Sequence, residues 1–297
     1  MKLTDPTHGL KRTPLEAVEL EGDTLDAHRD FWDRSAAVDS LTAIVTDSDE
    51  RDYRSSGRAE AELLRRFLTR ESRVLDIGCG TGRVMEHVAP WCREVHGVDI
   101  SERMVQAGRR RLGHLGGVRF HHGNGYDLAG FEDGSFDVVY SIVALQHMPR
   151  TIAYNYLLES QRVLRQGGVL WAYVPNLLRD DVFAAFHHFS QPWFVAHPYP
   201  MNFYTPQEIS RLLVAAGFWL EHLDDEMRVE ARKTGRAGVS EQARELVGLG
   251  DAETRRLAER NAELERALAR IRSQPLVRLA AAARRRLRRP GDSDPRP

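Results

Sequence analysis

Apolar residues alternate along the chain between short unbroken runs and longer stretches at helical spacing. The runs at Val74–Ile77, Val95–Ile100, Val118–His121, Phe136–Tyr140, Val169–Val174 and Phe218–Leu223 predict strands. Met227–Ala231 reads as a seventh strand, antiparallel to its neighbours. Between the runs, the spacing predicts helices from Gly57 to Leu68, Val84 to Ala89, 102 to 112 and Tyr154 to Leu164. Another starts at Thr205, where Thr205, Pro206 and Glu208 supply an N-cap, a first-turn proline and a capping box. Strands that alternate with helices predict an α/β chain built on a mostly parallel sheet. Upstream, Leu25, His28, Phe31 and Trp32 share one helical face, and Asp39 is placed to cap a second short helix through Ile44. Downstream, Gly235–Gly238 reads as a linker before a charged helical stretch over residues 239 to 273.

The chemistry concentrates where the first run meets a glycine-rich turn, Asp76-Ile77-Gly78-Cys79-Gly80-Thr81-Gly82. Glycines let the backbone take positive φ and let a ligand approach the main chain beside the amides that open a helix. A dinucleotide fingerprint needs glycine at its sixth position, but the sixth residue counted from Gly78 is Arg83. Asp76 repels a pyrophosphate and suits a ligand that carries an ammonium group. Asp99 ends the next run 17 residues after Gly82, and one carboxylate there can accept both hydroxyls of a ribose.

These residues resemble the class I S-adenosylmethionine-dependent methyltransferases. Asp76–Gly82 is similar to the first motif of that family and Val98-Asp99-Ile100-Ser101 to the second; Phe136–Ser141 and Arg162–Gly168 follow in order, and the resemblance runs from about Gly57 to about Asp224. It implies a Rossmann-like, doubly wound, seven-stranded sheet with an N-terminal helical cap over residues 1–56 and a methyltransferase domain over 57–232; beyond it, helical spacing and arginine content predict a basic helical arm over 239–290. The cofactor implied is S-adenosylmethionine. Asp76, Gly78 and Gly80 are expected at its methionine part, Asp99 at the ribose, Ile100 and Met104 beneath the adenine, and Ser141 beneath the sulfonium. Asn124 and Gly125 stand where many relatives hold an aspartate that accepts from the adenine amino group. The Asn124 carbonyl can accept that bond, Asp127 is the other candidate, and Asn-Gly also makes an ordinary tight turn.

Gln146-His147-Met148-Pro149 follows the fourth strand at the sheet edge where ligands bind. His147 is the expected catalytic base for a hydroxyl acceptor, its ordinary pKa of about 6.5 suiting the task, with His188 or His197 as the alternative base and ordering of the loop as the other role for His147. Trp32 and Tyr53 are candidate lid residues in the cap. Residues 176 to 203 are rich in aromatics and histidines, among them Phe183, Phe186, His187, His188, Trp193, His197 and Tyr199. Aromatic faces with polar rims suit sugar rings or flat phenols. The expectation is O-methylation of a sugar or glycan hydroxyl. A small aromatic or polyketide acceptor and a non-catalytic tethering role are the alternatives. Adjacent histidines on a helix diverge, and no i, i+4 histidine pair occurs in this stretch, so no metal is expected.

Composition adds three points. The 297 residues are 42% hydrophobic and allow one large domain with appendages or two domains; no stretch has the length and apolarity of a membrane span or a signal peptide, so a cytoplasmic location is expected. Two cysteines, Cys79 and Cys92, make neither a disulfide framework nor a metal cluster. Residues 266 to 290 hold nine arginines and no acid in a chain of net charge −1, so the remainder is acidic and a poor match for nucleic acid. The arm resembles basic C-terminal segments of bacterial surface-polysaccharide enzymes. Arginines flanking Leu276, Leu279 and Ala283 suit an anionic membrane surface or a solvated tail without a partner, and the 3-4 register from Thr254 to Ile271, barely two and a half heptads, suits a solvated helix or one docked on its own domain before a coiled coil with a second copy.

Overall fold

The structure is a computed structural model that describes residues 24–38, 50–190 and 201–247. Helix α1 spans Thr24–Val38 and α2 Glu50–Leu64. Strand β1 spans Arg73–Ile77, β2 Glu94–Asp99, β3 Val118–His122, β4 Phe136–Ile142 and β5 Leu164–Tyr173, with α3 (Met85–Val88), α4 (Glu102–Leu112) and α5 (Arg150–Val163) between them. Then come α6 (Asp180–Phe189), α7 (Pro206–Ala215), β6 (Trp219–Leu223), β7 (Arg228–Arg232), β8 (Gly238–Val239) and α8 (Glu241–Val247).

The strands form one sheet in the order β3-β2-β1-β4-β5-β7-β6-β8. The first five are parallel, and β7 runs antiparallel between β5 and β6, as the sequence predicts. The order reverses between β1 and β4, which opens a crevice beyond their carboxyl ends. β1 is buried on both faces: Val74 packs with Leu64, Met85 and Val105 of α2, α3 and α4, whereas Leu75 and Ile77 pack with Tyr156 and Leu157 of α5 and Leu213 of α7.

Four details depart from the sequence reading. Helix α2 runs through Gly57, where the domain was expected to start. The Gly167-Gly168 turn lies inside β5 as a bulge: pairing jumps from Phe136↔Leu164 to Val138↔Val169, and Gly167 N donates to Lys233 O at 2.7 Å, which keeps the bulged residues bound to the β7 side. The linker yields an eighth strand, where Gly238 lies against the Trp219 ring in a space that a Cβ would overlap at 2.6 Å. α8 then buries Ala243 and Val247 in the main core. Finally, Thr205 Oγ1 accepts from Glu208 N at 3.2 Å, but the Glu208 carboxylate pairs with Arg150 rather than closing the capping box. The expected helix from Asp39, residues 193–199 of the aromatic stretch and the arm beyond Val247 lie outside the described residues.

Candidate functional site

At the end of β1 the chain folds back onto β2, with Gly78 N and Cys79 N both donating to Val98 O, at 2.8 and 3.2 Å. Gly78 has φ +74°, and a Cβ there would come within 2.3 Å of the Ala144 methyl. The residue is therefore glycine for conformation and for space. Gly80 N donates to Asp99 Oδ2 at 2.8 Å, and Ser101 N to Asp99 Oδ1 at 2.9 Å. Each Asp99 oxygen keeps a lone pair for a further donor. Burial pushes the Asp99 carboxyl above its ordinary pKa.

Asp76 is 4% exposed. Burial raises its pKa to about 8, opposed by the Tyr140 hydroxyl beside it and by Arg83, and reinforced by Asp99 and Glu60. A buried carboxyl held in that state is suited to an incoming cation. Arg83 itself is buried, pairing with Glu60 at 2.6 Å and donating to Ser56 Oγ at 3.0 Å. The Tyr53 and Thr81 hydroxyls hydrogen-bond as well, so α2 clamps the glycine turn from outside. Tyr53 is thus buried in this clamp rather than in a lid. Arg83, Ser56 and Glu60 escaped the sequence reading; the available signal was the helical spacing of positions 53, 56 and 60 opposite a turn.

The cleft encloses about 920 Å³ including its open mouth and is lined by Asp76, Gly78, Gly80, Asp99, Ile100, Met104, Gly125 and His147 among the expected residues. Two expected residues stand elsewhere. Asn124 is exposed and ties its own turn: its Oδ1 accepts from Tyr126 N at 2.8 Å and Asp127 N at 2.9 Å, and its Nδ2 donates to Asp127 Oδ1 at 2.8 Å. Ser141 is buried and donates to Ile77 O at 3.0 Å, which ties the end of β4 to the end of β1 beneath the glycine turn.

Helix α1 brings His28 and Trp32 to the cleft. Trp32 Nε1 donates to His28 Nε2 at 3.3 Å. An indole can only donate, so a neutral His28 carries its proton on Nδ1, and burial lowers the His28 pKa toward that neutral form. His147 lies on the 3₁₀ turn Leu145–His147, 7% exposed, its ring edge-on to Trp32 at 5.1 Å between centroids. Asn202 supports this turn, donating to Gln146 O at 2.6 Å through its backbone and to Met148 O at 2.7 Å through its side chain. Of the aromatic stretch, Phe183 and Phe186 are exposed on α6, and Phe186 meets Phe203 edge-on at 5.5 Å. His187 and His188 occupy the exposed last turn of α6, and among the described residues no cluster of His, Cys, Asp or Glu could hold a metal.

This donor set fits S-adenosylmethionine. The buried Asp76 carboxyl suits an ammonium group, the Asp99 carboxylate with free lone pairs suits the hydroxyls of a ribose, and Ile100 and Met104 would give a base an apolar floor. The turn leaves space for a ligand that lies against the backbone.

Residues 74–168 match the family described as a methyltransferase domain. A demethylmenaquinone methyltransferase of Staphylococcus aureus is 30% identical over 147 residues, which cover 48% of this chain and 57% of that relative. Among solved structures, a chain of the complex that contains the Haloferax volcanii Trm112 methyltransferase activator superposes with a TM-score of 0.50 at 20% identity, over 68% of this chain and 79% of its own. The [4+2]-cyclase SpnF does so with a TM-score of 0.50 at 19% identity, over 69% and 76%. A fold shared with a cyclase does not by itself fix the reaction. The sequence match, by contrast, falls on the segment that builds most of the cleft: residues 74–168 match a methyltransferase domain, and the sheet they contribute to is Rossmann-like.

Proposed function

We propose that the chain binds S-adenosylmethionine in this cleft and methylates the hydroxyl of a small acceptor seated between Trp32, His28 and His147. The observation that carries the reading is the pairing of a buried Asp76 with a part-exposed Asp99 around the glycine turn. When bound, the cofactor supplies a methyl group activated by its sulfonium. The chain's own residues then hold and orient: Asp76 takes the ammonium, Asp99 the ribose, and Trp32 covers the cleft from α1. His147 takes the proton from the acceptor hydroxyl. His28, with its Nδ1 proton, serves as a hydrogen-bond donor toward the acceptor.

Between the acceptors suggested by the sequence, the lining favours a hydroxylated aromatic. Trp32, Ile142, Val143, Ala144, Met148 and Tyr156 give the cleft apolar walls. The similarity to a protein named for demethylmenaquinone supports a flat ring as acceptor and does not bear on the atom methylated. A sugar or glycan hydroxyl is the second reading, favoured by the aromatic stretch of residues 176 to 203, of which Phe183 and Phe186 stand outside the cleft.

The test is transfer of labelled methyl from S-adenosylmethionine to a panel of hydroquinones, phenols and oligosaccharides, repeated with His147→Ala. The expected result is turnover of a hydroxylated aromatic, with kcat rising through the histidine range in the wild type. The variant should be about 10²–10⁴-fold slower and flat over that range. Turnover of oligosaccharides alone would replace the acceptor class. An unchanged pH profile in the variant would remove His147 as the base.

A further inference from the structure

Helix α1 packs on α4, and the contact that fixes it falls beside the expected ribose carboxylate. Asp33 follows Trp32 on α1. It accepts a hydrogen bond from Ser101 Oγ and a longer one, at 3.4 Å, from Arg103 N. Ser101 is fully buried and is the N-cap of α4, its Oγ also accepting from Met104 N at 3.2 Å. The backbone amide of the same serine donates to Asp99 Oδ1 at 2.9 Å. One residue therefore joins the cap of α4, the helix that covers the cleft and the carboxylate expected to hold the ribose.

We propose that Asp33 is a positioning residue: through Ser101 it fastens α1 over the cleft, and this docking is coupled to occupancy of Asp99. The proposal rests on the S-adenosylmethionine reading of the cleft. The sign of the coupling follows from charge. Asp33 and Asp99 flank Ser101 as two carboxylates, and their repulsion works against docking of α1. A ligand that donates hydroxyl hydrogens to Asp99 spreads its charge and relieves that repulsion, so a bound ribose favours the docked helix. By reciprocity, the docked helix favours the bound ribose. Docking in turn brings Trp32 and His28 against the acceptor space, so Asp33 would act on the reaction without touching either substrate.

The probe is S-adenosylhomocysteine, titrated into the full chain, with amide hydrogen exchange followed over residues 24–38. In the wild type, exchange across α1 should slow when the probe is added. Asp33→Ala should exchange fast across α1 with or without the probe, and should bind the probe about tenfold more weakly. Asp33→Asn keeps an acceptor for the Ser101 hydroxyl and should restore most of the protection, a rescue that a loss of general stability would not show. Asp26→Asn, on the exposed side of α1, should behave as the wild type. Protection of the β1 and β4 amides in each variant checks that the sheet is intact. The proposal is overturned if Asp33→Ala keeps wild-type affinity, or if α1 in that variant exchanges as in the wild type. A wild-type chain that does not bind the probe defeats the cofactor reading instead. The attachment of α1 by Asp33 is then still judged by whether Asp33→Ala speeds exchange in the ligand-free protein.

Discussion

At the scale of single residues, the buried Asp76 carboxyl makes the most specific claim. Its pKa of about 8 means that most ligand-free molecules hold it protonated at pH 7. An ammonium group docked against it favours the ionised form, so binding of S-adenosylhomocysteine near neutrality should release a proton. Affinity should therefore rise from about pH 6 to about pH 8, by up to about tenfold per pH unit, and level off above. Titrations in buffers of different ionisation enthalpy count the proton, and Asp76→Asn should abolish its release. The absence of release in the wild type would show that Asp76 does not meet a cation. The same shift bears on stability: a carboxyl raised in the folded state stabilises the ligand-free protein below the unfolded pKa, about 3.9, and that contribution is lost as pH climbs through about 8. Asp76, Gly78 and Asp99 were legible because each stands at or just past the carboxyl end of an apolar run, the edge where a parallel sheet binds ligands. Asn124 was not, because an Asn-Gly pair reads equally as a ligand contact or as a turn, and three hydrogen bonds place it in the turn. Arg83 and Asp33 were invisible because their partners are 23 and 68 residues away, Glu60 and Ser101.

At the scale of elements, the clamp between α2 and the glycine turn decides how rigid the cleft is. Gly57 is buried where α2 crosses the turn, and a Cβ there would lie 2.5 Å from Arg83 O and 2.8 Å from Arg83 Cγ. In an exposed helix, glycine to alanine gains about 1 kcal/mol from propensity. Here the added methyl meets backbone, and overpacking of that kind costs about 1–3 kcal/mol. The clash should win, so Gly57→Ala is expected to lower the melting temperature and, by shifting the turn, to weaken S-adenosylhomocysteine binding. A thermal melt and one titration check both, and a stabilised variant with unchanged affinity would mean that α2 does not hold the turn. The helical period announced α2 but not its reach, since the pattern says which face is buried and not against what. The β5 bulge and the β8 strand were hidden for a related reason: glycine pairs look like turns, and only the pairing of Lys233 with Gly167 and the Trp219 ring over Gly238 turn them into strand.

At the scale of the whole molecule, the switch in strand order between β1 and β4 gathers residues from α1, β1, β2, the turn after β4 and α5 around one cleft. The alternation of strands and helices made that architecture legible, and four motifs in order gave its expected strand sequence. The acceptor stayed obscure, because the proposed acceptor walls on α1 and the His147 turn show a helical face and a histidine in the sequence but nothing that names a substrate. The central claim, that this cleft is a cofactor site with Asp99 at the ribose, is tested most directly by calorimetric titration of the chain with S-adenosylmethionine, repeated on Asp99→Ala after a check that the variant is folded. Micromolar binding that weakens about tenfold or more in the variant is the expected result, in line with the loss of charge-assisted hydrogen bonds. No binding to the wild type, or equal binding to both proteins, would contradict it.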